Sequence, residues 1–403
     1  MARSLVKFGA LRDNARMKQD FDVVIVGGGL AGLSLAVALS TSRLTVAVVE
    51  GRAPAAAPGW DSRVYAVSPA NARFLNQIGI WKHLDRSRIA AVQSMEIYGD
   101  AGGRLDFSAY DSGVEELAWI IEASLIHCEL WETVKRQGNL ALLCPARPQA
   151  LSFGSDQASL TLDDGRELNA CLIVAADGAD SWVRQAAGIA VNFKPYEQMG
   201  VVGNFNCALP HRDTAFQWFR NDGVLAYLPL AESHMISIVW STPDEHAAEL
   251  LALSPEEFSR RVAWAGEQRL GDLTAATPPT GFPLRLMRAP RTVAPRLALI
   301  GDAAHTLHPL SGHGINLGFQ DARVLAETLD QRPDYVDCGD ERWLRRYERA
   351  RLEEVVALQS ATHGLQRLFQ PQNTLLSMLR NSGLNLTNKV PVVRDSLVRY
   401  ALG

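Results

Sequence analysis

The chain has 403 residues, 47% of them hydrophobic and 21% charged, which suits a globular enzyme of two closely joined domains. A formal charge of -4 gives no general attraction to a polyanion and argues against a nucleic-acid partner. The five cysteines (Cys128, Cys144, Cys171, Cys207 and Cys338) are odd in number and include no C-x-x-C pair. That usage argues against a metal site or a disulfide framework and favours a reducing, cytoplasmic setting.

Residues 1–20 are basic but carry no long apolar core, so they read as an N-terminal extension rather than a signal peptide. Phe21–Val26 reads as a buried parallel strand, Leu30–Ser40 as the helix after it, and Leu44–Val49 as the next strand, ending at Glu50. The run at 23–39 approaches membrane-spanning length, but β-branched residues first, then three glycines, then helix formers fit a strand, a turn and a helix better. Residues 52–61 are a Pro- and Ala-rich loop, and Ser68–Ile78 has helical apolar spacing. Ala118–Gln137 predicts one long amphipathic helix. Ala141–Leu168 alternates short strands with turns, and Cys171–Ala176 is a further buried strand. From about 190 to 285 the strand-like runs Met199–Asn206, Ala226–Pro229 and Met235–Trp240 predict an antiparallel sheet. Arg296–Ile300 returns to the buried-strand pattern, and Gly314–Gln331 is helical.

The segment GGGLAG at 27–32 satisfies G-x-G-x-x-G through Gly27, Gly29 and Gly32. Gly27 allows a tight turn, Gly29 a close approach of a pyrophosphate, and Gly32 close packing of helix on strand. The helix start offers unpaired N–H groups to phosphate, and Glu50 is placed to accept from a ribose hydroxyl. A tight turn without ligand would use the same glycines, and the motif alone does not distinguish FAD from NAD.

Residues 297–320, LALIGDAAHTLHPLSGHGINLGFQ, followed by Asp321, narrow the choice. A buried strand ends at Gly301–Asp302, a Pro- and Gly-rich loop follows, and a helix begins near Gly314. This segment resembles the second FAD fingerprint of the FAD-dependent aromatic hydroxylases, the family typified by para-hydroxybenzoate hydroxylase. The resemblance implies that Asp302 contacts the ribityl chain, and that Pro309, Gly312, Gly314 and Asn316 border the isoalloxazine. DGADSWVR at 177–184 resembles the family's Asp-Gly motif, carried by Asp177, Gly178, Ser181 and Arg184, which supports the pyrophosphate.

Within the family the chain resembles the ubiquinone-biosynthesis hydroxylases over roughly residues 20–403. DSRVYAVSPANARFLNQIGIW at 61–81 puts Arg63 where it would meet the cofactor phosphates, and IIEASLIHCELW at 120–131 puts Glu122 near the adenosine half. One departure is His313 in SGHGIN, where the group usually has Gln; a tolerated polar replacement and a titrating neighbour of the flavin are both open.

The fold expected from the resemblance is α/β: a Rossmann-like FAD-binding domain, discontinuous over 21–75, 116–185 and 290–355, joined to an antiparallel β-sheet substrate domain (76–115 and 186–289) and C-terminal helices (356–403). The expected reaction is aromatic-ring hydroxylation of a polyprenylated phenol: NAD(P)H reduces FAD, O2 forms a flavin C4a-hydroperoxide, and one oxygen passes to the ring. No catalytic base is identified; His305, His308 and His313 are weak candidates, His234 a weaker one, and a structural histidine is the commoner use of each. No metal is expected, because Pro309 and the lack of companion carboxylates argue against a His305–His308 pair. Residues 361–403 carry five Lys/Arg and one acid among apolar residues, so the C-terminal region is a candidate for peripheral contact at the inner membrane face or with a ubiquinone-biosynthesis complex. A different flavoenzyme on the same fold, a reductase for example, and a non-catalytic prenyl-binding protein remain alternatives.

Overall fold

The computed structural model describes residues 18–57, 59–100, 102–191, 193–306 and 314–368. The chain begins with β1 (Lys18–Val26), α1 (Leu30–Ala38) and β2 (Val46–Val49). Val23, Val24, Ile25 and all four residues of β2 are buried, as expected of a parallel strand covered on both faces. Residues 23–39 therefore form strand, turn and helix, in the order their composition implies.

Next come β3 (Val64–Val67), α2 (Pro69–Gln77), β4 (Ala90–Val92), β5 (Ser94–Tyr98), β6 (Arg104–Ser108) and the single turn α3 (Ala109–Ser112). Helix α2 starts where Ser68 accepts from the Asn71 N–H and Pro69 presets the first turn. The long helix expected over 118–137 is divided. Ala118–Glu122 is strand β7, and α4 runs only over Ala123–Arg136. The apolar Trp119-Ile120-Ile121 run is drawn into a strand because β7 pairs antiparallel with both β3 and β4, an opportunity that exists only once those strands are in place.

Strands β8 (Leu140–Leu143), β9 (Pro148–Phe153), β10 (Ala158–Leu162) and β11 (Glu167–Ala175) precede the short helix α5 (Trp182–Ala186). Then follow β12 (Lys194–Cys207), β13 (Thr214–Arg220), β14 (Gly223–Pro229), β15 (Met235–Pro243), α6 (Asp244–Ala252), α7 (Pro255–Ala265), β16 (Leu273–Ala275) and β17 (Thr280–Arg288). The two helices interrupt a region whose expected content was strands alone. The Ser254–Glu257 capping box announces α7 in sequence: the Ser254 hydroxyl accepts from the Glu257 N–H, and the Glu257 carboxylate accepts from the Ser254 N–H. The described residues close with β18 (Val293–Ala294), β19 (Leu297–Leu299), β20 (His305–Thr306), α8 (Gly314–Asp330) and α9 (Glu341–Leu368).

Among the described residues these strands form three sheets. The first runs β18-β19-β11-β1-β2-β8, with β10 and β9 attached beside β11; its strands from β19 to β8 are parallel. The carboxyl ends of β1, β2, β11 and β19 therefore meet along one edge, where open α/β sheets bind ligands. The second runs β20-β17-β12-β15-β14-β13-β5-β6, antiparallel except where β13 meets β5. One face of it packs Phe205, Tyr227, Ile238 and Trp240 against Phe258 and Val262 of α7. The third sheet, β3-β7-β4, lies between the other two: Ala90, Val92 and Ile120 pack with Ala215, Leu230 and Met235 of the second sheet.

Candidate flavin site

The turn after β1 is built from glycines because nothing else fits. Gly27 has φ +110°, and a Cβ there would lie 2.3 Å from the Ala176 carbonyl oxygen. A Cβ on Gly32 would lie 2.1 Å from the Gly27 carbonyl oxygen, so α1 rests directly on the turn. A Cβ on Gly29, by contrast, would meet nothing within 4 Å. Open space there, at a helix start with unpaired N–H groups, is what a phosphate-binding turn requires.

Glu50 follows β2 and caps this turn. One carboxylate oxygen accepts from the Gly28 N–H at 2.6 Å and the other from the Arg52 N–H at 3.0 Å. His127 of α4, which sequence reasoning passed over, holds the other side of the turn: its Nε2 lies 2.6 Å from the Gly28 carbonyl oxygen. No motif marks it; the contact arises from the packing of α4 on α1.

The Asp-Gly segment meets the same turn. Ala176 and Asp177 form the wall against Gly27, and Gly178 has φ +84°. The Asp177 carboxylate accepts from the Ser181 hydroxyl at 2.5 Å and from the Val183 N–H at 3.0 Å, so it shapes the start of α5. Arg184 is buried and donates to the carbonyls of Ala179 and Ala303, at 2.8 and 2.9 Å. It thus fastens the Asp-Gly segment to the one that follows β19.

That segment begins at Gly301, whose Cβ position lies 3.1 Å from the Ala31 Cβ on the first turn of α1. Asp302 opens beside it. Its side chain is solvent-accessible yet surrounded by protein, as befits a group on a crevice wall, and it makes no hydrogen bond among the described residues. Burial pushes its carboxyl above the usual range, with His305 and Arg63 pulling the other way. Arg63, exposed on the turn into β3, therefore shares this wall. So does Tyr65, a second residue sequence reasoning missed; burial raises its phenol, with Arg63, Asp302 and Asp61 nearby.

Glu122 acts beneath Arg63. It is fully buried, and its carboxylate accepts from Arg88 Nε at 2.6 Å, from the Arg88 guanidinium again at 2.5 Å and from the Asp61 N–H at 2.5 Å. Asn316, on the first turn of α8, accepts from the Ser68 N–H at 3.0 Å and the Asn71 amide at 2.9 Å, and donates to the Ala66 carbonyl at 2.8 Å. It locks the junction of β3 and α2 to the start of the helix. Gly314 begins α8, and a Cβ there would meet nothing within 4 Å.

His305 is buried, with Nε2 2.7 Å from Asp321 Oδ2. Asp321 also accepts from the Gly301 N–H at 2.9 Å and from Arg351 Nε at 2.7 Å. Burial opposes its charge, yet His305 and Arg351 hold its carboxyl below the usual range. This buried network joins β20, α8 and α9 beneath the crevice and is a structural use of His305. His234 lies elsewhere, exposed, with Nδ1 3.0 Å from the Cys207 carbonyl. Leu307–His313, and with them His308, Pro309, Gly312 and His313, lie outside the described residues.

The three motifs, each more than a hundred residues from the next, therefore close on one crevice at the carboxyl edge of a parallel sheet. Open space at Gly29 and a hydroxyl-seeking carboxylate at Asp302 fit the diphosphate and polyol portions of FAD. Fold and crevice together define an FAD-dependent aromatic monooxygenase.

The chain belongs to the FAD binding domain family, which it matches over residues 20–362. It is 32% identical to the ubiquinone biosynthesis monooxygenase COQ6 of Drosophila melanogaster over 96% of this chain and 90% of that one. Identity is 31% with the 3-demethoxyubiquinol 3-hydroxylase of Escherichia coli (96% and 99% covered) and 34% with the ubiquinone hydroxylase UbiL of Rhodospirillum rubrum (95% and 89%). Among solved structures, PqsL of Pseudomonas aeruginosa in complex with 2-aminobenzoylacetate superimposes with a TM-score of 0.77, at 26% identity, covering 91% of this chain and 99% of that one.

Proposed function

We propose that this enzyme hydroxylates the aromatic ring of a polyprenylated phenol on the route to ubiquinone. The observation that carries the reading is the convergence of Gly27–Gly32, Asp177–Arg184 and Gly301–Asp302 on one crevice, in a chain similar to ubiquinone hydroxylases along nearly its whole length. Bound there, FAD would supply a ring that accepts hydride from NAD(P)H and passes one atom of O2 to the phenol.

The residues divide the work. The N–H groups at the start of α1 hold the pyrophosphate, with Arg63 adding charge, and Glu50 accepts from the adenosine ribose. Glu122 positions Arg63 through Asp61, whose carboxylate accepts from the Arg63 N–H at 2.9 Å, and lies toward the adenosine half. Asp177 shapes the pyrophosphate wall, and Asp302 takes a ribityl hydroxyl. The start of α8, with Gly314 and Asn316, would border the ring, where its N–H groups would favour negative charge; the resemblance assigns Pro309 and Gly312, outside the described residues, to the same border. The rate then rests on holding the phenol ring close to the flavin and on keeping water away.

Among the described residues no helix is long and apolar enough to cross a membrane. A prenyl tail nonetheless keeps the substrate in lipid. The basic excess of 361–403, five Lys/Arg against one acid, supports peripheral contact of the C-terminal region with an anionic inner-membrane surface or with partner enzymes. The domain division that goes with this reading is an FAD-binding part from 21–75, 116–185 and 290–355 and a substrate part from 76–115 and 186–289.

Deletion of the gene, followed by identification of the prenylated intermediate that accumulates and its removal by the restored chain, tests the assignment. An accumulated ring lacking one hydroxyl is the expected result; unchanged ubiquinone with no precursor would overturn it.

A further inference from the structure

Away from the flavin crevice, the fold brings together two cysteines that are far apart in sequence. Cys171 lies within β11, and Cys338 lies on the connection between α8 and α9. Their sulfurs and a carboxylate oxygen of Asp337 lie within 4.8 Å of one another. Cys338 is buried, its Sγ 3.4 Å from the Asp22 carbonyl of β1, whereas Cys171 is half-buried and open to small solutes.

The surroundings favour sulfur chemistry over metal binding. Both oxygens of Asp337 are already engaged: one accepts from Arg296 at 2.7 Å, the other from the Gly339 N–H at 2.8 Å. A cation would have to compete with that guanidinium, which also donates to the Cys171 carbonyl at 3.0 Å.

We propose that Cys171 and Cys338 form a reversible disulfide when the enzyme meets hydrogen peroxide, fastening the α8–α9 connection to β11. The Cys171 thiolate attacks peroxide, giving a sulfenic acid and hydroxide. The Cys338 thiol then attacks that sulfur, forming the S–S bond and releasing the oxygen as water. Two thiols are oxidised by two electrons in all, and one peroxide is reduced to two waters. The order of attack follows from the environment. The Cys171 thiol is made more acidic, chiefly by a hydrogen bond from Cys338, with Arg296 adding to the effect, whereas that same contact and burial hold the Cys338 proton in place. Peroxide is a by-product of flavin oxygenation when water reaches the site, so the enzyme's own chemistry supplies the oxidant. A bridge across so long a stretch of chain restricts the unfolded state and raises resistance to unfolding.

The test exposes purified holoenzyme to a small excess of hydrogen peroxide, alkylates it under denaturing conditions and maps its peptides. A dithiothreitol-sensitive link between the Cys171 and Cys338 peptides is expected, with loss of two alkylatable thiols and a rise in melting temperature that reduction reverses. Cys171→Ser, Cys338→Ser and Cys338→Ala should each abolish the link while keeping bound flavin, and Cys128→Ser should retain it. Thiols that stay reduced, a Cys171 sulfinic acid beside an alkylatable Cys338, or stoichiometric zinc that co-purifies and shields both sulfurs would each overturn the proposal.

Discussion

Two aspartates on the segments that flank residues 307–313 illustrate how differently a carboxylate can be used. Asp321 is paired on both oxygens, and its carboxyl titrates below the ordinary range. A depressed pKa contributes stability that is present above the unfolded value, about 3.9, and is lost as pH falls through the folded value. Asp321→Ala leaves the Arg351 charge and His305 buried without their partner. It should cost about 3–5 kcal/mol in denaturant unfolding at neutral pH, and the gap from the parent should narrow in strong acid. A gap that stays constant from pH 7 to acid would contradict the pairing. Asp302 is the opposite case, raised by burial and without a hydrogen-bond partner among the described residues. A raised carboxyl pKa contributes stability below the unfolded value that is lost as pH rises through the folded one. At neutral pH the ionised group is therefore a burden to the flavin-free protein. Asp302→Asn should melt higher than the parent as apoprotein at pH 7, the two converging in acid, while retaining less FAD on purification. Equal flavin content in the two proteins would remove Asp302 from the polyol site.

At the scale of elements, α1 is placed by a contact that tolerates no side chain. Gly32→Ala sets a methyl group 2.1 Å from a backbone oxygen, which must move the helix or the turn. A loss of about 1–3 kcal/mol is expected from forced overpacking, together with mostly colourless protein, because the displaced helix start is the proposed phosphate cradle. Thermal unfolding and the flavin-to-protein absorbance ratio measure both effects; a fully yellow, equally stable variant would refute the placement. Elements with strong local signals were readable in advance. The buried strands at 21–26, 44–49 and 171–176 and the helices at 68–78 and 314–331 all appear, with ends shifted by a few residues. The division of 118–137 into β7 and α4 was not readable, since Ala118–Glu122 suits either state until β3 and β4 offer it partners. Helices α6 and α7 were missed even though Ser254 and Glu257 spell a capping box, because the strand-like runs that precede them set the reading of the whole region.

For the whole molecule, one cofactor should act as a clamp. The crevice draws its walls from β1–α1, β3, the segment after β11 and the segment after β19, and ordering all four around FAD favours the folded state by mass action. Added FAD at about a hundred times its dissociation constant should stabilise apoprotein by about 2.7 kcal/mol, read as a rise in melting temperature that saturates with FAD. NAD(P)H alone should give little of that shift, since a second G-x-G-x-x-G is absent from the sequence. An equal shift from NAD(P)H without FAD would mean that the crevice prefers a different dinucleotide.

What the residues determine unaided is chemistry with a local signature. Three glycines at fixed spacing between strand and helix name a dinucleotide, because backbone sterics and helix starts act over a few residues, and the resemblance of residues 297–321 and 177–184 to a known family makes that dinucleotide FAD. What only the tertiary structure decides is which of those groups are free to work. Glu122 and His305 look alike in sequence as ligands-in-waiting, yet Arg88 engages the first and Asp321 the second. Cys171 and Cys338 look unrelated until the α8–α9 connection lies against β11. Hydrogen bonds and burial are settled by neighbours that the chain brings from afar, and no local pattern records them.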